Sequence, residues 1–129
     1  MKRLLDTNVL VAAVTRDTER SETAIELLND DTETFVSVLN LMELRSVLSK
    51  KKGFDRDRID KIEGRITSRT TVTVPDASDM IDANNRQSET LLYPMDALIL
   101  AAATAVDATL VSFDRELIDH GAQHPTEMV

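Results

Sequence analysis

Apolar residues follow two rhythms along this chain, short unbroken runs and stripes at helical spacing. The runs fall at residues 2–5 (KRLL), 33–39 (ETFVSVL), 70–75 (TTVTVP) and 108–113 (ATLVSF). They are brief, aliphatic or β-branched, and bounded by polar or turn residues. Such runs predict strands buried on both faces. The stripes lie between them. A helix is predicted over 7–15. Ala24, Ile25, Leu27 and Leu28 form a stripe within 19–30. Residues 40–53 read as a helix ended by Gly53, and Ile59, Ile62 and Ile66 recur at helical spacing. Ala77, Met80, Ile81 and Ala83 mark another helix over 76–92. Residues 95–106 are apolar almost all round, which predicts a buried helix. A short helix follows over 114–119, and the tail TEMV (126–129) is expected to add an edge strand.

Short apolar strands alternating with helices predict an α/β fold, a central parallel sheet of four to five strands covered on both faces. Its crossovers should be right-handed. No linker, repeat or low-complexity tract divides the sequence, so residues 1–129 are expected to form a single domain.

Composition narrows the chemistry. With 42% hydrophobic and 29% charged residues the chain reads as globular rather than disordered. It has no cysteine, which excludes disulfides and thiolate metal sites. It has no tryptophan and only 3% aromatics, so a base-stacking platform is not expected. Three glycines cannot write a Walker loop or a dinucleotide fingerprint. The longest apolar run, 97–106, is about half of the roughly 20 residues a membrane span requires. MKRLL begins like a signal peptide, but Asp6 and Asn8 interrupt its apolar region. No membrane association and a cytoplasmic location are expected. The net charge of −8, from 23 acidic and 15 basic residues, weighs against a nucleic-acid partner. A divalent metal bridging acid to phosphate would remove that objection, as would clustering of cations such as Arg45, Lys50, Lys51 and Lys52. An acidic surface also suits high salt, where screening shortens to about 3 Å at 1 M.

Ligands of open parallel sheets bind beyond the carboxyl ends of the strands. Four acids are expected there. Asp6 ends the first strand, Glu43 follows the second, Asp96 opens the buried helix, and Asp114 follows the fourth strand. Each has a structural reading of its own. Asp6 is a turn residue, Asn40 and Glu43 have capping-box spacing, Asp96 suits a helix first turn, and Asp114 is an N-cap. As a set they read differently. Glu43 lies between Leu39 and Val47 on one helical face, and Asp96 opens an otherwise buried helix with no Arg or Lys beside it. Two carboxylates 4 Å apart repel by about 4 kcal/mol at an effective dielectric of 20. Divalent cations would offset that, and all-oxygen ligands select Mg2+ or Mn2+.

LLDTNVL, NLMEL, YPMDALILAAA and LVSFDRE, in this order, resemble the PIN-domain ribonucleases, in particular the small VapC-like toxins of toxin–antitoxin pairs. The likeness spans essentially the whole chain. It implies a PIN-like three-layer α/β/α sandwich and a Mg2+-dependent endoribonuclease (Mn2+ as a possible substitute) leaving a 3′-hydroxyl and a 5′-phosphate. The family's four-acid motif falls on Asp6, Glu43, Asp96 and Asp114. The resemblance implies Asp6 and Asp96 as primary metal ligands, Glu43 as the residue acting on the attacking water, and Asp114 as completing the outer or second metal shell. Asn8 matches a position that orients the first acid, and Ser112 a Thr/Ser position before the last one. Asn40 stands where the family more often has Thr, and Leu117 where Phe is common. The partners implied are an RNA substrate, a cognate antitoxin and a second copy in a homodimer. Residues 40–68 are a candidate surface for the protein contacts.

Other groups invite weaker readings. His120 and His124 are four apart, but Gly121 and Pro125 break the helix that would align them, so they are read as solvated tail residues. SKKKG (49–53) is either an RNA-contacting patch or a set of cations at a helix C-terminus, and Arg115 either touches phosphate or is a surface residue. A receiver-type phospho-acceptor domain is a rival, but it needs a lysine after a late strand, and the last lysine is Lys61. A catalytically silent PIN-fold binding module is the principal alternative. A DNA-cleaving nuclease is a third.

Overall fold

The computed structural model describes residues 2–16 and 18–128. Four strands form: β1 (Lys2–Leu5), β2 (Glu33–Ser37), β3 (Thr71–Thr73) and β4 (Thr109–Val111). They pair in the order β3-β2-β1-β4, every pair parallel. Leu4 lies opposite Phe35 on one side and Leu110 on the other. Side chains alternate across a strand, so consecutive apolar residues must enter different cores. They do. Leu5, Val36 and Val111 pack on one face of the sheet, and Leu4, Phe35 and Leu110 on the other.

The first face is covered by α1 (Thr7–Thr15), α2 (Arg20–Asn29), α3 (Val38–Ser46) and α4 (Arg56–Arg69). The Ile59, Ile62 and Ile66 stripe of α4 is buried there, as its spacing predicts. The second face is covered by α5 (Ala77–Glu89), α6 (Pro94–Ala105) and α7 (Arg115–Asp119). In α6, Ala97 and residues 99–103 are all buried. The result is the α/β/α sandwich expected from the sequence, with a four-stranded sheet. Among the described residues, no helix is long and apolar enough to cross a membrane.

Two local expectations are corrected. Strand β2 stops at Ser37 rather than running to residue 39, because the Ser37 hydroxyl accepts from the Leu39 amide at 3.2 Å and starts α3 at Val38. Asn40 therefore lies inside the helix, and the Asn40–Glu43 capping box does not form. Helix α3 runs on into a π-helical turn, Val47–Lys51, before Gly53 adopts φ +70°. That left-handed angle suits glycine at a helix end. The expected edge strand at the tail is also absent. Pro125 lacks an amide to give to a ladder, and residues Pro125–Glu127 form a 3-10 turn capped by His124. Gln123 alone bridges Val111, in parallel. Val129 lies outside the described residues.

Candidate functional site

Strand β1 delivers Asp6 to the carboxyl edge of the sheet, where its own amide is tied to the Val111 carbonyl at 3.0 Å. Asp6 is the N-cap of α1, and Oδ1 accepts from the Thr7 amide at 2.8 Å. Asn40 Nδ2 donates to the same oxygen at 3.3 Å, and the Ser112 hydroxyl donates to Oδ2 at 2.8 Å. Both carboxylate oxygens are thus oriented by hydrogen bonds from three separate elements of the chain. Burial still raises the carboxyl above its usual range. The bonds from Ser112 and Thr7 oppose this, and the charges of Glu43 and Asp114 add to it.

The other three acids arrive from different elements. Glu43 projects from α3, and its Oε1 accepts the Thr7 hydroxyl at 2.8 Å. Asn40 in turn donates to Thr7 Oγ1 at 3.0 Å. Asp96 sits in the first turn of α6, behind Pro94. Asp114 caps α7 by accepting from the Glu116 amide at 2.9 Å, and its own amide donates to Ser112 Oγ at 3.0 Å. All four line one cavity of about 420 Å³, together with Asn8, Arg20 and Lys52.

The crowding has an electrostatic consequence. Asp96 is pushed up to about 6, first by burial, then by the charges of Asp114, Asp6, Glu116 and Glu43. Among the described residues, no arginine forms an ion pair with any of the four acids. Four carboxylates thus share a cavity whose lining also includes Arg20 and Lys52. The donor set is all oxygen, which suits Mg2+ or Mn2+. Among the described residues, no three His, Cys, Asp or Glu side chains form a group that could hold an ion between them. The residues fit a divalent cation by charge and donor chemistry.

Ser112 is the hub of the hydrogen-bonding. Its hydroxyl donates to Asp6 and accepts from Asn8 Nδ2, at 3.1 Å, and from the Asp114 amide. Asn8 does not touch Asp6. It acts through Ser112, and through the Phe113 amide that donates to its Oδ1 at 3.1 Å. Replacing Ser112 with alanine strands two donors in a buried place. The expected loss is about 1–2 kcal/mol of stability, read by urea denaturation, and about tenfold in metal affinity, read by Mg2+ titration.

Sequence reasoning took Asn40 for a cap and a departure from the family's Thr, and passed over Thr7 and Arg20. Thr7 couples Asn40 to Glu43, and Asn40 is a fully buried orienter of Asp6 rather than a helix cap. Arg20 lines the cavity although it is remote from the acids in sequence. The signals for Asn40 were its polarity beside Leu39 and Leu41 and its place at a polar family position. Three further residues have local surroundings of their own. Arg115 is 87% exposed and faces Asp119 at 3.5 Å. His124 is not a solvated tail residue, since its ring meets Phe113 edge-on at 5.2 Å. Lys50 and Lys51 lie exposed in the last turn of the π-helical segment, where cations suit the helix dipole.

A family model described as PIN domain matches residues 3–122. No curated protein matches the chain by sequence. Among solved structures, a toxin–antitoxin complex from Klebsiella pneumoniae superposes with TM-score 0.76 at 20% identity, over 95% of this chain and 97% of that one. VapC20 from Mycobacterium tuberculosis, a sarcin–ricin-loop-cleaving toxin, gives 0.79 at 18% identity, over 95% and 97%. VapBC2 from Rickettsia felis, bound to a DNA fragment from its promoter, gives 0.72 at 23% identity, over 94% and 93%. At these identities the likeness speaks for the fold.

Proposed function

Because this chain belongs to the PIN-domain family, we propose that it is a divalent-metal-dependent endoribonuclease and the toxin of a toxin–antitoxin pair. The observation that carries the reading is the meeting of Asp6, Glu43, Asp96 and Asp114 around one cavity at the carboxyl edge of the sheet. In this reading Asp6 and Asp96 would be the primary ligands of Mg2+ or Mn2+, and Asp114 would complete the outer or second metal shell. The bound ion would supply Lewis acidity toward a phosphate oxygen and acidify water. Glu43 orients the attacking water and takes its proton at Oε2, since Oε1 is engaged by Thr7. Water adds to phosphorus, the bond to the 3′ oxygen breaks, and that oxygen leaves as a hydroxyl by taking a proton from solvent, while Glu43 releases the one it accepted. Asn40, Thr7, Ser112 and Asn8 hold Asp6 and Glu43 in place for this.

RNA is favoured over DNA by one structural neighbour, a toxin that cleaves the sarcin–ricin loop. The match over residues 3–122 supports a single PIN-like domain, and an RNA substrate implies the cytoplasm. For the antitoxin, a second cavity of about 670 Å³ offers a surface. Arg16, Arg58, Lys61, Arg65 and Arg69 surround an apolar floor that includes Ile62 and Ile66, and among the described residues no acid lines it. On a chain of net charge −8 this groove complements an acidic amphipathic segment. A homodimer completes the proposal, and light scattering after gel filtration tests it.

The test of activity is purified protein incubated with total RNA and Mg2+, with and without EDTA. Cleavage that EDTA abolishes and Asp6→Asn removes is the expected result. Equal cleavage by the variant would overturn the assignment. That no three acids form an ion-holding group among the described residues favours one second reading, a silent PIN-fold binding module. It predicts RNA or antitoxin binding with no cleavage at any metal concentration.

A further inference from the structure

Arg20 is the only arginine lining the acidic cavity among the described residues, yet it pairs with none of the acids there. Its position is set in another way. The guanidinium lies 4.5 Å over the ring of Phe113. That ring is itself fixed. It is 9% exposed, meets His124 edge-on, and its backbone amide is held by Asn8. Phe113 also stands between Ser112, which orients Asp6, and Asp114. The stack therefore places a cation at the edge of the acidic cavity, anchored to the same short segment that carries the acid site.

A guanidinium held by an aromatic face keeps its N–H groups unspent, whereas one held by a carboxylate does not. None of the five donors of Arg20 has a hydrogen-bond partner among the described residues. A planar fork of this kind binds phosphate oxygens in pairs. The site thus combines acids that would repel a phosphodiester with one preoriented cation that would attract it. Resting on the nuclease reading, we infer that Arg20 is the phosphate-binding residue that draws the RNA backbone into the acidic cavity, with Phe113 as its platform. It is a binding residue, and the four acids retain the chemistry.

Salt-dependent binding tests this separately from cleavage. A fluorescein-labelled single-stranded RNA oligonucleotide is titrated with the Asp96→Asn protein, alone and combined with Arg20→Gln or Arg20→Lys, across a range of KCl concentrations. One phosphate contact on a single strand contributes a slope of about 0.7 in log K against log salt. Arg20→Gln is expected to weaken binding about tenfold and flatten the slope by about that amount. Arg20→Lys should keep the slope but not the full affinity, because it retains the charge and loses the fork. In an active wild-type background, Arg20→Gln should raise KM about tenfold and leave kcat within a factor of about three. An unchanged slope and affinity in Arg20→Gln, or no RNA binding at all, would overturn the inference. If Arg20 governs binding but the wild type cuts no RNA, the inference stands and the nuclease reading falls. Arg20 is exposed, so circular dichroism melts of the variants should superpose.

Discussion

Asp96→Asn is expected to abolish metal-dependent RNA cleavage and, in EDTA at pH 7, to raise the melting temperature. The two effects have opposite signs for one reason. Asp96 carries negative charge into a place where burial and the charges of Asp114, Asp6, Glu116 and Glu43 all oppose it. Its folded value of about 6 lies above the ordinary 3.8. Between these values the folded protein holds the proton more tightly than the unfolded chain. Stability is then fully present below about pH 4 and falls as pH rises through 6. The neutral amide removes that fall, so the variant's stability should be flatter over pH 4–7. Mg2+ should raise the melting temperature of the wild type by engaging the acids, and should do little for the variant. Loss of an outer-shell partner costs 10–100-fold in typical metal sites, so loss of a ligand should cost at least about a hundredfold in activity. Thermal melts with EDTA or Mg2+ and cleavage assays on one preparation read every arm. A variant that is less stable in EDTA and still Mg2+-responsive would place the ion elsewhere.

A second large effect is expected on the opposite side of the molecule's charge balance. Arg3 is only 1% exposed on β1, and its guanidinium bonds the Leu27 carbonyl, Thr34 Oγ1 and Asp30. Asp30→Ala leaves that cation buried without its counter-charge. Breaking buried pairs costs 3–5 kcal/mol, and because Asp30 is 37% exposed the expected loss here is about 2–3 kcal/mol. Adding Arg3→Met to Asp30→Ala should restore part of the loss, because the unpaired charge is gone. Urea denaturation with an unchanged slope gives both numbers. The pH dependence has a definite sign. Burial alone would raise the Asp30 carboxyl, but the bonds from Arg3 and the Thr32 amide outweigh it and hold it below 3.8. Its contribution is present above 3.8 and lost as pH falls through the lower folded value, so wild type and Asp30→Ala should converge at the acid end. A double variant no more stable than Asp30→Ala would show that packing, not charge, dominates at Arg3.

The fold was largely legible as a linear pattern. Period-two alternation in LL, FV and LV assigns neighbouring residues to opposite cores, and the isoleucine stripe of α4 fixes its buried face. Both signals are local, so the chain order of residues carries them. The edges of elements were less legible. Asn40 reads as the cap in the sequence, whereas Ser37 is the one used, because the strand ends two residues earlier than its apolar run. The tail was misread because an apolar ending looks like a strand until Pro125 and the cap at His124 turn it into a 3-10 bend.

The acids were named from residue order and resemblance, and their arrival at one cavity follows from the parallel sheet, which brings successive strand ends to one edge. The resemblance named Asn8 and Ser112 as supports, but the hydrogen bonds each makes could not be read that way. Asn40 and Asp6 are 34 positions apart, and Ser112 and Asp6 are 106 apart. Arg20 reaches Phe113 across the fold. Hydrogen bonds and stacked cations act over 3–5 Å in space and leave no periodicity in the chain, so their partners emerge only when the layers pack. Hydrophobic patterning selects the architecture because burial is roughly additive along the chain. The directional contacts that orient each carboxylate, and the repulsion that lifts Asp96, exist only at the distances the packed structure sets.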